Sequence, residues 1–230
     1  MLTSPMSKHG PSKKHLQAVG DIYMARIDEF DFFRQQVAGF FQTSRHFQSK
    51  PLPLVHSVKS RLKDVTHLKE KIKRKWGDEK ITPENIFSKI TDLAGVRVLH
   101  LHTQQFGKIH SAIMEHIASG FWTLHEDPIA YSWDPEATAF FKELGLKAIT
   151  RESYYTSIHY VVKPQANTDL ACEIQVRTLF EEVWGEIDHS LNYPTSTKNI
   201  ACKEQLRVLA KLTSTGTRLV DSIFKIANDT

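Results

Sequence analysis

The chain is 230 residues long, with 40% hydrophobic residues, 24% charged residues and a formal net charge of +4. That balance excludes wholesale disorder and suits one sizeable core with helical additions. There is no apolar run long enough to span a bilayer, no signal-peptide core and, with Cys172 and Cys202 outside any C-x-x-C spacing, no disulfide framework; a cytoplasmic protein with reduced thiols is expected.

In chain order, Met1 to His15 is polar and rich in Ser, Pro and Lys, and reads as a mobile tail. His15 to Phe47 carries Ile22, Ile27, Phe30, Phe33, Val37, Phe40 and Phe41 at helical spacing, which predicts one or two helices. Pro51 and Pro53 close that region and open an extended segment, Leu54 to Leu62. A helix is expected from Asp64 to Trp76, capped by Asp64 or Thr66, and another from the Thr82-Pro83 start. Gly95 to Leu101 reads as a strand, Gln104 to Ala118 as a helix and Phe121 to His125 as a strand. Glu126 to Ser153 reads as a long connection with a short helix near Glu136 to Leu144. Strands Thr156 to Lys163 and Leu170 to Thr178 follow, then helices Leu179 to Leu191 and Asn199 to Asn228. The last helix places Leu206, Leu209, Leu212, Leu219 and Ile223 on one stripe.

Four patches carry chemistry. On the strand Ala171 to Thr178, Ile174, Val176 and Thr178 share one face, and Glu173, Gln175 and Arg177 the other. A carboxylate, an amide and a guanidinium in a row suit a wall that grips a polar anion; the plainer alternative is an exposed face with one ion pair. Trp184, on the helix that follows, reads as core. Arg61 and Lys63, then Lys71 and Arg74 one turn apart, converge at a strand–helix junction and suit a polyphosphate, or else form a solvated basic face. Asp92, in Asp92-Leu-Ala-Gly-Val-Arg97, stands at the mouth of a strand where a carboxylate can hold Mg²⁺, or where Gly95 merely caps a helix. Tyr155, Ser157 and His159 share one parity, and an aromatic at a strand's entry offers a stacking platform for a nucleobase. Walker A, G-x-G-x-x-G, kinase and H-E-x-x-H signatures are missing. The pair His100 and His102 lacks a third ligand for zinc and reads as an edge or interface face.

Taken in order, Arg61-x-Lys63…Lys71-x-x-Arg74, Asp92-Leu-Ala-Gly-Val-Arg97, Tyr155-Thr-Ser-Ile-His159, Glu173-Ile-Gln-Val-Arg177-Thr178 and Trp184…Asp188-His189 resemble the synthetase domain of RelA/SpoT alarmone enzymes. The resemblance runs from about Leu54 to Tyr193 and is nearest to the single-domain small alarmone synthetases. It implies an α+β fold, a mixed β-sheet flanked by helices and akin to nucleotidyltransferases. The expected division is a tail over 1–15, a helical region over 16–50, the synthetase domain over 51–195 and a C-terminal helix over 196–230. The family's hydrolase needs a His-Asp dipeptide, which occurs nowhere here, so synthesis without hydrolysis is implied.

The implied reaction moves pyrophosphate from ATP to the ribose 3′-hydroxyl of GDP or GTP. Carried over by position, Arg61, Lys63, Lys71, Arg74 and Arg97 would bind ATP, and Asp92 and Glu173 would hold Mg²⁺. Glu173 would also draw the proton from the attacking hydroxyl. Tyr155 would stack on the acceptor base, with His159, Gln175 and Arg177 lining its phosphate and sugar. Relatives of this kind are often homo-oligomers, tetramers or dimers, and the final amphipathic helix offers an interface. One departure stands out: the family's usual Asn-Gly pair before Tyr155 is replaced by Ser153-Tyr154. Losing Gly removes freedom for a positive backbone angle and leaves the acceptor open. Two alternatives follow, a toxic relative that pyrophosphorylates the tRNA 3′ end or makes adenosine alarmones, and a non-catalytic nucleotide- or RNA-binding module.

Overall fold

The structure, a computed structural model, describes residues 10–48, 50, 52–193 and 195–228. Most of the expected tail lies outside the described residues. In chain order the elements are α1 (Lys13–Ala25), α2 (Ile27–Thr43), a 3-10 turn (Arg45–Phe47), β1 (Ser57–Leu62), α3 (Val65–Lys75) and α4 (Ile86–Lys89). There follow β2 (Ala94–His100), α5 (Gln105–Ala118), β3 (Thr123–Ser132), α6 (Pro135–Glu143) and β4 (Lys147–Thr150). The chain continues through β5 (Ser157–Lys163), β6 (Cys172–Thr178), α7 (Leu179–Asn192) and α8 (Ile200–Asn228). The expected α+β architecture is present, as a six-stranded mixed sheet in the order β1-β2-β6-β5-β3-β4 flanked by helices. β2–β6 and β3–β4 pair in parallel and the other neighbours antiparallel.

Period-two alternation sorts the central strands. Val96, Val98, Ile174, Val176, Ile158, Tyr160 and Val162 are buried in one core with Phe30, Val37 and Phe41 of α2 and Phe106 and Ile109 of α5. The opposite face carries the polar residues. Register aligns Lys59, Arg97, Gln175 and His159 in one row and Arg61, Gly95, Glu173 and Val161 in the next.

Local chemistry sets the turns that frame this face. Asp64 caps α3 by accepting from the backbone N–H of Thr66 and His67, as expected. A capping box joins β6 to α7: the Thr178 hydroxyl accepts from Glu181 N at 3.2 Å, and Glu181 Oε2 accepts from Thr178 N at 2.7 Å. That turn swings α7 back over the polar face.

Several expectations are corrected. Residues 126–153 are not a long connection: β3 runs on to Ser132, and α6 and β4 follow it. Register shifts between Leu124, Glu126 and Ile129 absorb Pro128, which has no N–H to give a ladder, and this irregularity hid the strand in the sequence. α1 starts at Lys13, inside the expected tail, because Ser12 Oγ accepts from His15 N. α4 starts at Ile86, not at Pro83, because Asn85 Oδ1 holds Thr82 N in a turn.

His100 and His102 are buried and lie on no edge: β2 is flanked by β1 and β6, and His102 stacks on Phe224 of α8. The stripe on α8 divides. Leu206 turns inward with Ala210, Thr213 and Thr217, while Leu212, Leu219 and Ile223 are exposed. Thr213 and Thr217 tolerate the inward side because their hydroxyls donate to the carbonyls of Ala210 and Thr213. Trp184 is core, as expected, and its indole N–H donates to Leu206 O at 3.0 Å.

Candidate active site

The polar face of the sheet opens as a cleft of about 340 Å³ lined by Lys59, Arg61, Asp92, Arg97, Glu173, Gln175 and Glu186. Its two carboxylates come from different elements. Asp92 sits just before β2, with Lys63 Nζ 2.8 Å from Oδ2 and Lys71 Nζ 2.7 Å from Oδ1. Burial alone would raise this carboxyl, but the Lys71 and Lys63 charges outweigh it and hold the group down to about 2. Glu173 projects from β6; Oε1 lies 3.1 Å from His159 Nδ1, and Oε2 accepts from Gln175 Nε2 at 2.8 Å. Burial pushes Glu173 up, and the contacts with His159 and Gln175 bring it below the usual range, so both carboxylates are ionised at neutral pH.

The expected cations divide into three groups. Arg61 lines the cleft and Arg74 is exposed on α3; the charges of both reach the Tyr193 hydroxyl. Lys63 and Lys71 are drawn onto Asp92. Arg97 Nη1 contacts Glu182 Oε1 at 2.8 Å and Glu186 Oε1 at 2.5 Å. Arg177 leaves the cleft: its side chain is 3% exposed beneath α7 and pairs with Glu182. Tyr155 stands at the entry of β5 with its hydroxyl 2.9 Å from His159 Nε2.

Glu182 and Lys59 escaped the sequence reading, as did Glu186 as a partner of Arg97. The available signal was the Glu182, Gly185, Glu186 spacing, which puts two carboxylates and a gap on one helical face opposite Arg97 and Arg177. Tyr154, at the family's glycine position, keeps a left-handed backbone at φ 61°. Its ring meets Trp133 edge-on at 5.2 Å, in a separate pocket beneath α8 that Asp134, Glu181 and Arg218 also line.

The donor set fits a magnesium ion. The charge of Asp92 acts against ionisation of Glu173, so the two carboxylates repel one another across the cleft, and a divalent cation would relieve that repulsion. Asp92 Oδ1 is buried and has no aligned hydrogen bond, its close neighbour being Lys71 Nζ at 2.7 Å. Among the described residues no group of three or more His, Cys, Asp or Glu is poised on a metal. Two carboxylates with substrate phosphates making up the remainder is the usual magnesium arrangement.

Residues 60–198 match the family described as the region found in RelA / SpoT proteins. A search of curated proteins finds no sequence match. Among solved structures, the small alarmone synthetase 1 from Bacillus subtilis superposes with a TM-score of 0.71 at 21% identity, over 91% of this chain and 100% of that one. The same protein bound to its product pppGpp gives 0.64 at 21%, over 90% and 97%. A GTP pyrophosphokinase family protein from Streptococcus pneumoniae gives 0.67 at 19%, over 91% and 94%.

Proposed function

The chain belongs to the RelA/SpoT family, and on that premise we propose that it transfers pyrophosphate from ATP to the ribose 3′-hydroxyl of GDP or GTP, the bond between the α- and β-phosphates breaking and AMP leaving, and so forms alarmones without hydrolysing them. The observation that carries this reading is the pairing of Glu173 and Asp92 in one cation-lined cleft. A protein that only bound a polyphosphate would gain nothing from two ionised carboxylates facing it. The pppGpp held by one structural neighbour supports a guanosine acceptor.

The residues divide the work. Arg61 and Arg74 would grip the ATP phosphates at the cleft mouth, with Lys63 and Lys71 behind them and Arg97 on the floor. Glu173, already ionised and held by two partners, would take the proton of the attacking hydroxyl. Tyr155 would stack on the acceptor base and Gln175 would face its sugar. Asp92 and Glu173 would hold Mg²⁺, which neutralises charge on the transferred phosphates. Phosphoryl transfer is mostly positioning and charge neutralisation, so this set is sufficient.

The test is incubation of the pure protein with labelled ATP, Mg²⁺ and, separately, GDP, GTP, AMP, ATP and deacylated tRNA. Labelled pyrophosphate appearing on GDP or GTP far faster than on the others is expected. Faster labelling of tRNA or AMP would move the chain to the toxic or adenosine-specific relatives, and nucleotide binding without any transfer would leave a binding module.

A further inference from the structure

Tyr155, His159 and Glu173 form a continuous hydrogen-bonded row across β5 and β6. Tyr155 Oη lies 2.9 Å from His159 Nε2, and His159 Nδ1 lies 3.1 Å from Glu173 Oε1. Tyr131 packs edge-on against the imidazole at 5.0 Å, and Arg151 covers the Tyr131 ring at 4.2 Å. The His159 side chain is 19% exposed, so the ring is held on three sides.

The roles of the ring nitrogens follow from their neighbours. An ionised carboxylate can only accept, so Nδ1 carries the proton it gives to Glu173. With one proton on the ring, Nε2 accepts from the Tyr155 hydroxyl. Both nitrogens are then spent, and the ring has no N–H left to offer an acceptor phosphate. Glu173 receives one donor on each oxygen, from His159 and from Gln175, which stops the carboxylate rotating. Each oxygen still has a second lone-pair direction for a hydroxyl or a metal.

We propose that His159 is a positioning residue that locks the Glu173 carboxylate for proton abstraction, with the Tyr155 hydroxyl fixing the imidazole tautomer. The proposal deepens the pyrophosphate-transfer reading and rests on it. It gives Tyr155 two separable duties, a ring for the acceptor base and a hydroxyl for the relay. A loosened base loses near-attack geometry without weakening ground-state binding, so the signature is a fall in kcat at constant KM.

Two measurements test this. In steady-state assays, His159→Ala should lower kcat by about 10–100-fold with the acceptor KM within about twofold. His159→Asn, whose amide nitrogen takes the place of Nδ1, should recover about tenfold of that loss. Tyr155→Phe should lower kcat by about 3–10-fold and leave the acceptor KM alone, because the ring remains. A raised KM at unchanged kcat in His159→Ala, or no rescue by Asn, would overturn the assignment. Independently of turnover, nitrogen NMR of the His159 ring should show the Nδ1–H tautomer in the wild type and a loss of that preference in Tyr155→Phe. An Nε2–H tautomer in the wild type would sink the relay even in an active enzyme. The Nδ1–H tautomer in a protein that transfers no pyrophosphate would support the row and count against the reaction alone.

Discussion

Glu182 Oε2 lies 2.5 Å from Arg177 Nη2, with both side chains almost wholly buried between α7 and the sheet. The other oxygen of the same carboxylate takes Lys59 Nζ and Arg97 Nη1, each at 2.8 Å. One helix carboxylate thus gathers a cation from each of β1, β2 and β6. Neither Glu182 Oε2 nor Arg177 Nε has an aligned hydrogen bond, so the Arg177 contact is one of close charges. Gly185 leaves room for it: a Cβ there would come within 2.5 Å of Arg177 Nη1. Arg177 is therefore committed to holding α7 on the sheet, while Arg97 keeps a face toward the cleft.

Removing Glu182 leaves a buried guanidinium unpaired. Glu182→Ala is expected to destabilise the fold by about 3–5 kcal/mol, the usual effect of breaking a buried pair from one side. Gly185→Ala, which forces Arg177 aside without removing its partner, should destabilise by about 1–3 kcal/mol. Urea denaturation at neutral pH measures both. A Glu182→Ala protein as stable as wild type would show that Arg177 relaxes to water at no cost.

Glu173→Gln removes the base but retains the volume and one hydrogen-bonding oxygen. Pyrophosphate transfer should fall by ~10²-fold or more while ATP affinity by calorimetry changes little. Asp92→Asn should also lower transfer, yet recover in part at raised Mg²⁺, since its proposed duty there is ligation. It should in addition lower stability, because Lys63 and Lys71 lose the charge they surround. Near wild-type turnover in Glu173→Gln at saturating Mg²⁺ would remove this residue from the chemistry.

The site was legible where short motifs are self-contained, and illegible where two distant elements meet. Glu173, Gln175 and Arg177 do share one strand face, because period two follows from the pleat alone. That Arg177 lies under a helix depends on the capping box that turns α7 back over the sheet, a tertiary consequence of Thr178 and Glu181. The parity of His159 could be read from the sequence, whereas its bond to Glu173 required the β5–β6 register. β3 was lost beyond His125 because Pro128 and the acidic pair before it look like a loop, and the ladder tolerates them only at a register shift. On α8, periodicity marked an apolar stripe, but only contact with α7 and the pocket decides which part of it turns inward.

His100 supplies a pH dependence. Burial drives its imidazole from 6.5 to about 4, against the opposing pull of the hydrogen bond to the His102 carbonyl and the charge of Asp221. Nδ1 lies 3.0 Å from His102 O, and Nε2 is buried without a partner. Between these values the unfolded chain binds the extra proton and the folded chain does not, so stability falls with falling pH. The stability is complete above about 6.5 and is lost progressively down to about 4, a total of about 3 kcal/mol. Glu181 runs the opposite way, its carboxyl raised by burial from 4.5 to about 6, and it is common to any His100 variant. Denaturation of wild type and His100→Leu from pH 7 to pH 4 should therefore show the wild type losing about 3 kcal/mol relative to the variant. Parallel pH profiles would mean that His100 is protonated in the fold.

Tyr154 occupies a left-handed backbone position that favours glycine, at φ 61°, and its ring rests on Trp133. Two terms oppose each other there. The backbone of a non-glycine residue in this region is strained by about 1–2 kcal/mol, while an aromatic pair contributes about 0.5–1.5 kcal/mol beyond its buried area. Tyr154→Gly loses the ring but releases the strain, so stability should change by only about 1 kcal/mol. Tyr154→Ala loses the ring and keeps the strain, so it should be the less stable of the two by about 1 kcal/mol. The reverse order, Ala above Gly, would mean that the left-handed backbone is not the conformation in solution. Because the ring lies in the pocket beneath α8 and Glu173 lines the other cleft, Tyr154→Gly should shift the acceptor KM at most, keeping GDP and GTP ahead of AMP and tRNA. A switch of acceptor in this variant would place Tyr154 on the base-binding surface and link the two pockets through the Tyr154-Tyr155 step.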